Sequence, residues 1–388
     1  MGWSTWYMAY TKVSDKLLRR EADALISSGL SGHGYSYVDI DDGWNVKVSG
    51  AGSNSHQAPR DAQGNLKPNS KFPNMKALTS YVHSKGLKIG IYISPGPRTC
   101  GGYEGSYGHE KQDAQLFAKW GFDLLKYDLC SYRTLIKNPR DATEVKQPYQ
   151  LMGSILQNLD RDLVFNLCEY GLGHVWTWGR EVGGNSWRTN GDVGAQRQGL
   201  WEQMTSYGLA EAGEAKWAGP GGWNDPDNIL IGQIIWKGKL RPTPLTHNEQ
   251  YTYVTLWSLL DAPLIFGGDM TQLDPFTLSL LTNDEVIAVD QDRLGQQAVP
   301  VFRSSHIEVW AKDMEDGSKA VGLFNLDDTE TEVTARWSDL GISGKHLVRD
   351  LWRQKDLGVF DGEFHASVGE HGAELFLVRP IKQKGNYK

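Results

Sequence analysis

Short apolar runs alternate with longer amphipathic stretches up to about residue 294, and this alternation constrains the fold more than any other feature. The segments "YSYVDI" (35–40), "LKIGIYI" (87–93), "FDLLKYD" (122–128), "LVFNLCE" (163–169) and "PLIFGGD" (263–269) read as buried strands. Helical patterns lie between them. In "SDKLLRREADALISSG", Ser14 is placed to cap, Leu18, Ala22, Leu25 and Ile26 form one face, and Gly29 ends the run. Further helical patterns cover 74–86, 109–121, 148–160 and 247–261. Three weaker strand segments, 2–7, 186–193 and 221–228, bring the strands to eight. Strand–helix alternation over this length predicts an α/β domain built as a (β/α)8 TIM barrel.

The texture changes after "RLGQQAVP" (293–300). "SHIEVWAKD", "KAVGLFNLDD", "TEVTARW", "HLVRDLW", "FDGEFHASV" and "GAELFLVRP" follow in quick succession, each short, alternating and bounded by turn residues. These predict a C-terminal antiparallel β-sandwich. The expected division is 1–294 for the barrel and 295–388 for the sandwich. The tail "KQKGNYK" is expected to fray.

Several function classes recede on simple grounds. The net charge is −7 and no basic stretch exists, which argues against nucleic acid. No run of about 18 apolar residues exists, so no membrane helix is expected. The three cysteines, Cys100, Cys130 and Cys168, describe no disulfide framework, and nothing has zinc spacing. The chain opens on "MGWSTWY" without a charged-then-apolar leader, so a signal peptide is either absent or removed. Fifteen tryptophans offer stacking platforms for sugar faces, although packing accounts for many of them.

In a barrel, chemistry gathers at the C-terminal ends of the strands. The first strand carries Trp3 and Trp6 there. The second carries Asp41, Asp42 and Trp44. The third has Tyr92 and then Cys100, and the fourth has Lys126, Asp128 and Cys130. The fifth ends in Glu169, the sixth holds Arg188 and Asp192, the seventh Trp223, Asp225 and Asp227, and the eighth Asp269. A lone Asp after a strand is commonly a cap or turn residue, and Asp225 and Asp227 in "NDPDN" fit that reading. A whole ring of carboxylates does not, because like charges repel. With no histidine in the ring and no calcium-loop pattern, a polyhydroxylated ligand fits better than a metal.

Glycoside hydrolysis needs two carboxyls in different protonation states. Strand alternation puts Lys126 and Asp128 on one face, so the lysine is expected to keep Asp128 ionised. Asp192, in the glycine-rich and mobile-looking "NGDVGAQ", is the candidate acid. Arg188 nearby opposes this unless it points at the sugar or at another carboxylate. Lys126 has two rival readings, a Schiff-base lysine and a purely structural ion pair.

Taken together, "MGWSTW", "DIDDGW", "KFPNMKALTSYVHSKGLKIGIY", "LLKYDLC", "CEYG", "WRTNGDV" and "GGWNDPDN" resemble, in order, the blocks of glycoside hydrolase family 27, the α-galactosidases and α-N-acetylgalactosaminidases of clan D. The resemblance runs from residue 1 to about 295, and the C-terminal domain fits it. It implies retaining hydrolysis of a terminal sugar through a covalent glycosyl-enzyme, with no metal or cofactor. It makes Asp128 the nucleophile and Asp192 the acid/base. It places Asp41 and Asp42 on the sugar's 4- and 6-hydroxyls, Lys126 and Arg188 also on the sugar, Trp3 and Tyr92 in the pocket wall, and Asp227 close by. Glu169 falls where the family chooses its 2-substituent, and a glutamate there implies galactose. Cys100 and Cys130 match a family disulfide, which leaves Cys168 over and suits a secreted or periplasmic setting.

Three departures stand out. Gly43 replaces a frequent cysteine, the third strand ends "YISPGPRTC", and the first strand begins at the start of the chain. The resulting expectation is an exo-acting α-galactosidase. The alternatives are β-L-arabinopyranosidase activity, which Asp41 disfavours, and a sugar-binding protein without catalysis, which the presence of both carboxylates disfavours.

Overall fold

The computed structural model describes residues 1–48, 58–194 and 199–381. Ala195 and Gln196 of the expected mobile loop, and the tail after Ile381, lie outside the described residues. The chain forms two compact units. The first comprises Met1–Arg197, Gly221–Thr243 and Pro263–Leu278; the second comprises Gln198–Pro220, Pro244–Ala262 and Ser279–Lys388.

In the first unit, parallel strands β1 (Gly2–Ser4), β2 (Tyr37–Asp39), β3 (Lys88–Ile93), β4 (Leu124–Asp128), β5 (Val164–Cys168), β6 (Ser186–Arg188) and β7 (Trp223–Asp225) pair in chain order. A hairpin, β8 (Gln233–Trp236) and β9 (Lys239–Pro242), follows, and it was not anticipated from the sequence. Strand β10 (Ile265–Phe266) then pairs with β1. Just past β7, Ile229 donates its N–H to Ile265 at 2.8 Å and accepts from Gly267 at 3.0 Å, which closes the eight strands into a barrel. The TIM barrel expected from the alternation is therefore present.

Helices fill the intervals as their patterns require. After a short helix at Trp6–Ala9, the expected one runs Asp15–Ser27, with the Ser14 hydroxyl accepting from the Leu17 N–H at 3.2 Å and Gly29 taking φ 87°. The helix expected over 148–160 spans Ala142–Leu156 instead, because Asp141 caps it and Pro148 sits inside rather than at its start. Among the described residues, no helix is long and apolar enough to cross a membrane.

The barrel interior explains one glycine. Gly90 of β3 faces Asp39 of β2, and a Cβ at Gly90 would lie 2.1 Å from Asp39 Oδ1. Glycine therefore makes room for a buried carboxyl inside the barrel.

The second unit carries a six-stranded antiparallel sheet in the order β11 (Val299–Arg303), β12 (Ile307–Asp313), β13 (Lys319–Asn325), β18 (Ala373–Pro380), β15 (Lys345–Asp350) and β16 (Lys355–Asp361). Strands β14 (Thr331–Arg336) and β17 (Glu363–Val368) form a second layer. Val309, Leu323, Val333, Trp337, Phe364 and Phe376 are among the buried side chains of its core. This is the expected sandwich, with alternate residues facing inward. The His247–Leu259 helix of this unit opens on a capping box between Thr246 and Glu249 and is buried around most of its circumference.

Candidate active site

A cavity of about 330 Å³, open mouth included, lies at the C-terminal ends of the barrel strands and is walled by Trp6, Tyr7, Asp41, Tyr92, Cys100, Lys126, Asp128, Tyr170, Arg188, Asp192 and Asp227. Strand register accounts for much of this set. Tyr92 is level with Lys126, Lys126 with Asn166, Asp128 with Cys168, and Arg188 with Asp225. Period-two alternation sends Lys126 and Asp128 into the same cavity, as expected.

The lysine's partner is not the one expected. Lys126 Nζ binds Asp41 Oδ2 at 2.7 Å, while the Asp42 N–H donates to Asp41 Oδ1 at 2.8 Å. Burial disfavours the Lys126 ammonium most strongly, but the surrounding groups, Asp41 foremost and Asp128 among them, together outweigh it and hold the lysine pKa well above its ordinary value. A permanently protonated amine is no Schiff-base nucleophile, so that rival reading does not fit the site.

Asp128 is held by two phenols. Tyr92 donates to Oδ2 at 2.9 Å and Tyr170 donates to Oδ1 at 2.6 Å. Burial raises the Asp128 pKa, against the lowering by Lys126 and by both tyrosines. Lys126 lowers this pKa as expected, but desolvation of a buried carboxylate exceeds the attraction of a cation already bound to Asp41, so the net shift is upward.

Arg188 resolves the objection to Asp192 in part. Its Nη2 lies 3.2 Å from Asp192 Oδ1 and also 3.2 Å from Asp227 Oδ2, and it reaches the carbonyls of Asn190 and Gly191. The guanidinium is thus shared between two carboxylates. Asp192 is the more exposed, with 39% of its side chain accessible against 4% for Asp227. Asp227 takes φ 96°, accepts from the Tyr7 hydroxyl at 2.8 Å and from the Val193 N–H at 2.9 Å, and burial lifts its pKa to about 6 despite Arg188. It belongs to the wall and is more than a turn residue. Asp225 keeps the turn role, since its Oδ1 accepts from the Asp227 N–H.

Four residues stand differently from the sequence expectation. Trp3 is fully buried and donates its indole N–H to the Gly268 carbonyl at 2.6 Å. It sits level with Val38 and Phe266, one residue out of phase with the inward Ser4, so it faces away from the cavity. Trp6, on the turn that follows β1, lines the wall in its place. Asp42 is buried, its Oδ2 accepts from the Gly101 N–H at 2.6 Å, and its Oδ1 has no partner; it does not line the cavity. Glu169 follows the inward Cys168, so alternation turns it out of the cavity, where it is buried without a hydrogen-bond partner on either oxygen. Burial raises its pKa well above the ordinary carboxylate value, because a buried charge without hydrogen bonds is costly. Asp269 caps a short turn by accepting from the Thr271 N–H and hydroxyl, and so leaves the ring.

Two tyrosines not singled out from the sequence, Tyr7 and Tyr170, complete the wall. Their signal was weak because a phenol carries no formal charge and a tyrosine near a strand usually packs. Cys100 and Cys130 form a disulfide beside Asp128, and Cys168 is a buried free thiol. The bridge uses up the sulfur ligands of the one cluster, Cys100, Asp128 and Cys130, whose geometry resembles a metal site among the described residues.

Comparison with known proteins decides the family. The model described as "Alpha galactosidase A" matches residues 9–292, and that described as "Alpha galactosidase C-terminal beta sandwich domain" matches 304–378. The chain belongs to the family 27 α-galactosidases. It is thereby a glycoside hydrolase. It is 38% identical to an α-galactosidase of Cyamopsis tetragonoloba, over 98% of this chain and 86% of that one. Among solved structures, α-galactosidase I of Mortierella vinacea superposes with a TM-score of 0.85 at 30% identity, covering 97% of this chain and 96% of that chain. A family 27 β-L-arabinopyranosidase of Geobacillus stearothermophilus superposes with a TM-score of 0.84 at 26% identity, covering 99% and 97%.

Proposed function

We propose that this chain is an exo-acting, retaining α-galactosidase. The observation that carries the reading is the Asp128 carboxylate, clasped on both oxygens by phenols and sharing one cavity with the more exposed Asp192. Asp128 attacks the anomeric carbon as the bond to the leaving oxygen breaks, and Asp192 gives that oxygen its proton. Water, deprotonated by Asp192, then releases the sugar from the Asp128 ester. Asp41 and Lys126 form one pre-set polar pair for ring hydroxyls, Arg188 and Asp227 another, and Trp6 offers an aromatic face. The names of the curated relatives support galactose as that sugar. Nuclear magnetic resonance of the first anomer released from an α-galactoside tests the mechanism. α-Galactose is expected, and β-galactose as first product would overturn retention.

The arabinopyranosidase neighbour keeps a second reading in view, since that sugar is galactose without its exocyclic CH2OH. Asp41 supports galactose. Rates on nitrophenyl α-galactoside and nitrophenyl β-L-arabinopyranoside discriminate, and a higher kcat/KM on the second would reverse the assignment. The disulfide supports a secreted or periplasmic location. The two family matches support modules divided near residue 294.

A further inference from the structure

We propose that Tyr170 is a positioning residue for the nucleophile, its phenol fixing Oδ1 of Asp128 and favouring the ionised form that attack requires. This rests on the reading of Asp128 as nucleophile. The bond from the Tyr170 hydroxyl is 2.6 Å, within the range for a hydroxyl donating to a carboxylate. Lys126 is engaged by Asp41, so the close donors on Asp128 are phenols, one to each oxygen.

The backbone around Tyr170 is set to present that phenol. Tyr170 takes φ 63°, a left-handed conformation that a bulky residue adopts only when its surroundings enforce it. Gly171 supplies the enforcement. Its N–H donates to the Arg188 carbonyl at 2.9 Å, and a Cβ there would lie 2.1 Å from the Thr189 carbonyl oxygen. No other residue lets the chain turn so close to β6. From the outer side the Arg133 guanidinium lies over the Tyr170 ring at 4.1 Å, and the Arg188 guanidinium is 5.8 Å from its centroid. The ring is thus held by two cations and a pinned turn. Burial and nearby anions keep the phenol itself protonated, so it acts as a constant donor.

The test is Tyr170→Phe, which keeps the ring and its stacking and removes the hydroxyl. The acid limb of kcat/KM for nitrophenyl α-galactoside is expected to move up by about one pH unit, because a donor to the ionised form has been lost. Inhibition by galactose is expected to change little. If Tyr170→Phe folds poorly, Arg133→Gln loosens the stack without touching the phenol and shifts the limb in the same direction by less. A merely structural role would lower the Tm and leave the limb in place. Asp128→Asn is run in parallel. Turnover surviving Asp128→Asn overturns the nucleophile reading and this proposal with it. Turnover lost in Asp128→Asn with an unmoved limb in Tyr170→Phe overturns this proposal alone.

Discussion

Lys126 Nζ sits 2.7 Å from Asp41 Oδ2, across the mouth of the barrel from β4 to the end of β2, with 23% and 4% of the two side chains exposed. The pair fixes the face of the cavity opposite Arg188 and Asp227. It also leaves Asp128 to depend on tyrosines for its close hydrogen bonds.

Breaking this pair from either side leaves a buried charge alone. Lys126→Met and Asp41→Asn should each cost about 3–5 kcal/mol of stability, and the double variant much less than their sum. Urea unfolding of the four proteins measures the coupling. Additive losses would show that the two groups act independently. Both single variants should also lose turnover, because each removes a group that faces the sugar.

Asp192 is expected to matter in proportion to how badly the leaving group needs a proton. Asp192→Asn should cut kcat/KM on an alkyl galactoside by about 100- to 10,000-fold. On a dinitrophenyl galactoside, whose phenolate leaves unaided, the first step should be nearly spared. Steady-state rates on the two substrates check this. Equal losses on both would argue that Asp192 only holds Arg188 in place.

How far the site was legible follows from where alternation applies. On β4 the strand is five residues long, and period two placed Lys126 and Asp128 correctly. On β1 the strand is only three residues long, and the chain turns into a helix at Trp6. Spacing alone could not choose between Trp3 and Trp6, and the wall residue is the one beyond the strand. Glu169 sits just past β5, where the same alternation, applied from Asp128 through Cys168, turns it outward. Contacts between strands stayed invisible. Lys126 chooses Asp41, 85 residues away, over Asp128, two residues away, because β2 and β4, the two strands that flank β3, bring Asp41 within reach at that level of the barrel. The fold itself was readable because eight strand segments, the helical patterns between them and an abrupt change to short alternating strands need no contact information. The β8–β9 hairpin escaped because "IGQIIWKGKLRP" falls between the strand segment 221–228 and the helical pattern 247–261 and was assigned to neither.

Buried carboxyls set the pH dependence of stability. Burial lifts Glu21, Asp39 and Asp42 to about 7 each. The folded chain therefore holds protons between pH 4 and 7 that the unfolded chain has released. Their contribution is complete below the unfolded pKa and is lost as pH rises through 7. The surface groups Asp23, Asp61 and Asp316 are shifted down, mainly by hydrogen bonds, and their smaller contribution is lost only as pH falls below 4. The Tm should peak near pH 5 and be several degrees lower at pH 8, since about 1 kcal/mol already moves it by about 2–4 °C in a chain of this order. Asp39→Asn, whose side chain never ionises, should flatten that slope. Thermal scans from pH 4 to 9 check both, and a Tm that rises towards pH 8 would contradict them.

The disulfide should be needed for catalysis beyond its effect on folding. It closes a 30-residue interval, and on the chain-entropy argument it contributes about 3–4 kcal/mol. Its position adds a second effect. Cys130 Sγ lies 3.0 Å from the Tyr92 hydroxyl, which in turn donates to Asp128 Oδ2. Cys130 also takes φ 36°, so the bridge holds a strained turn two residues past the nucleophile at the end of β4. Cys100→Ser with Cys130→Ser, assayed well below its lowered Tm, should therefore show a reduced kcat together with a raised acid limb, as the Tyr92 donor loosens. Unchanged kcat and an unchanged limb under folding conditions would reduce the bridge to a stabilising link between two loops.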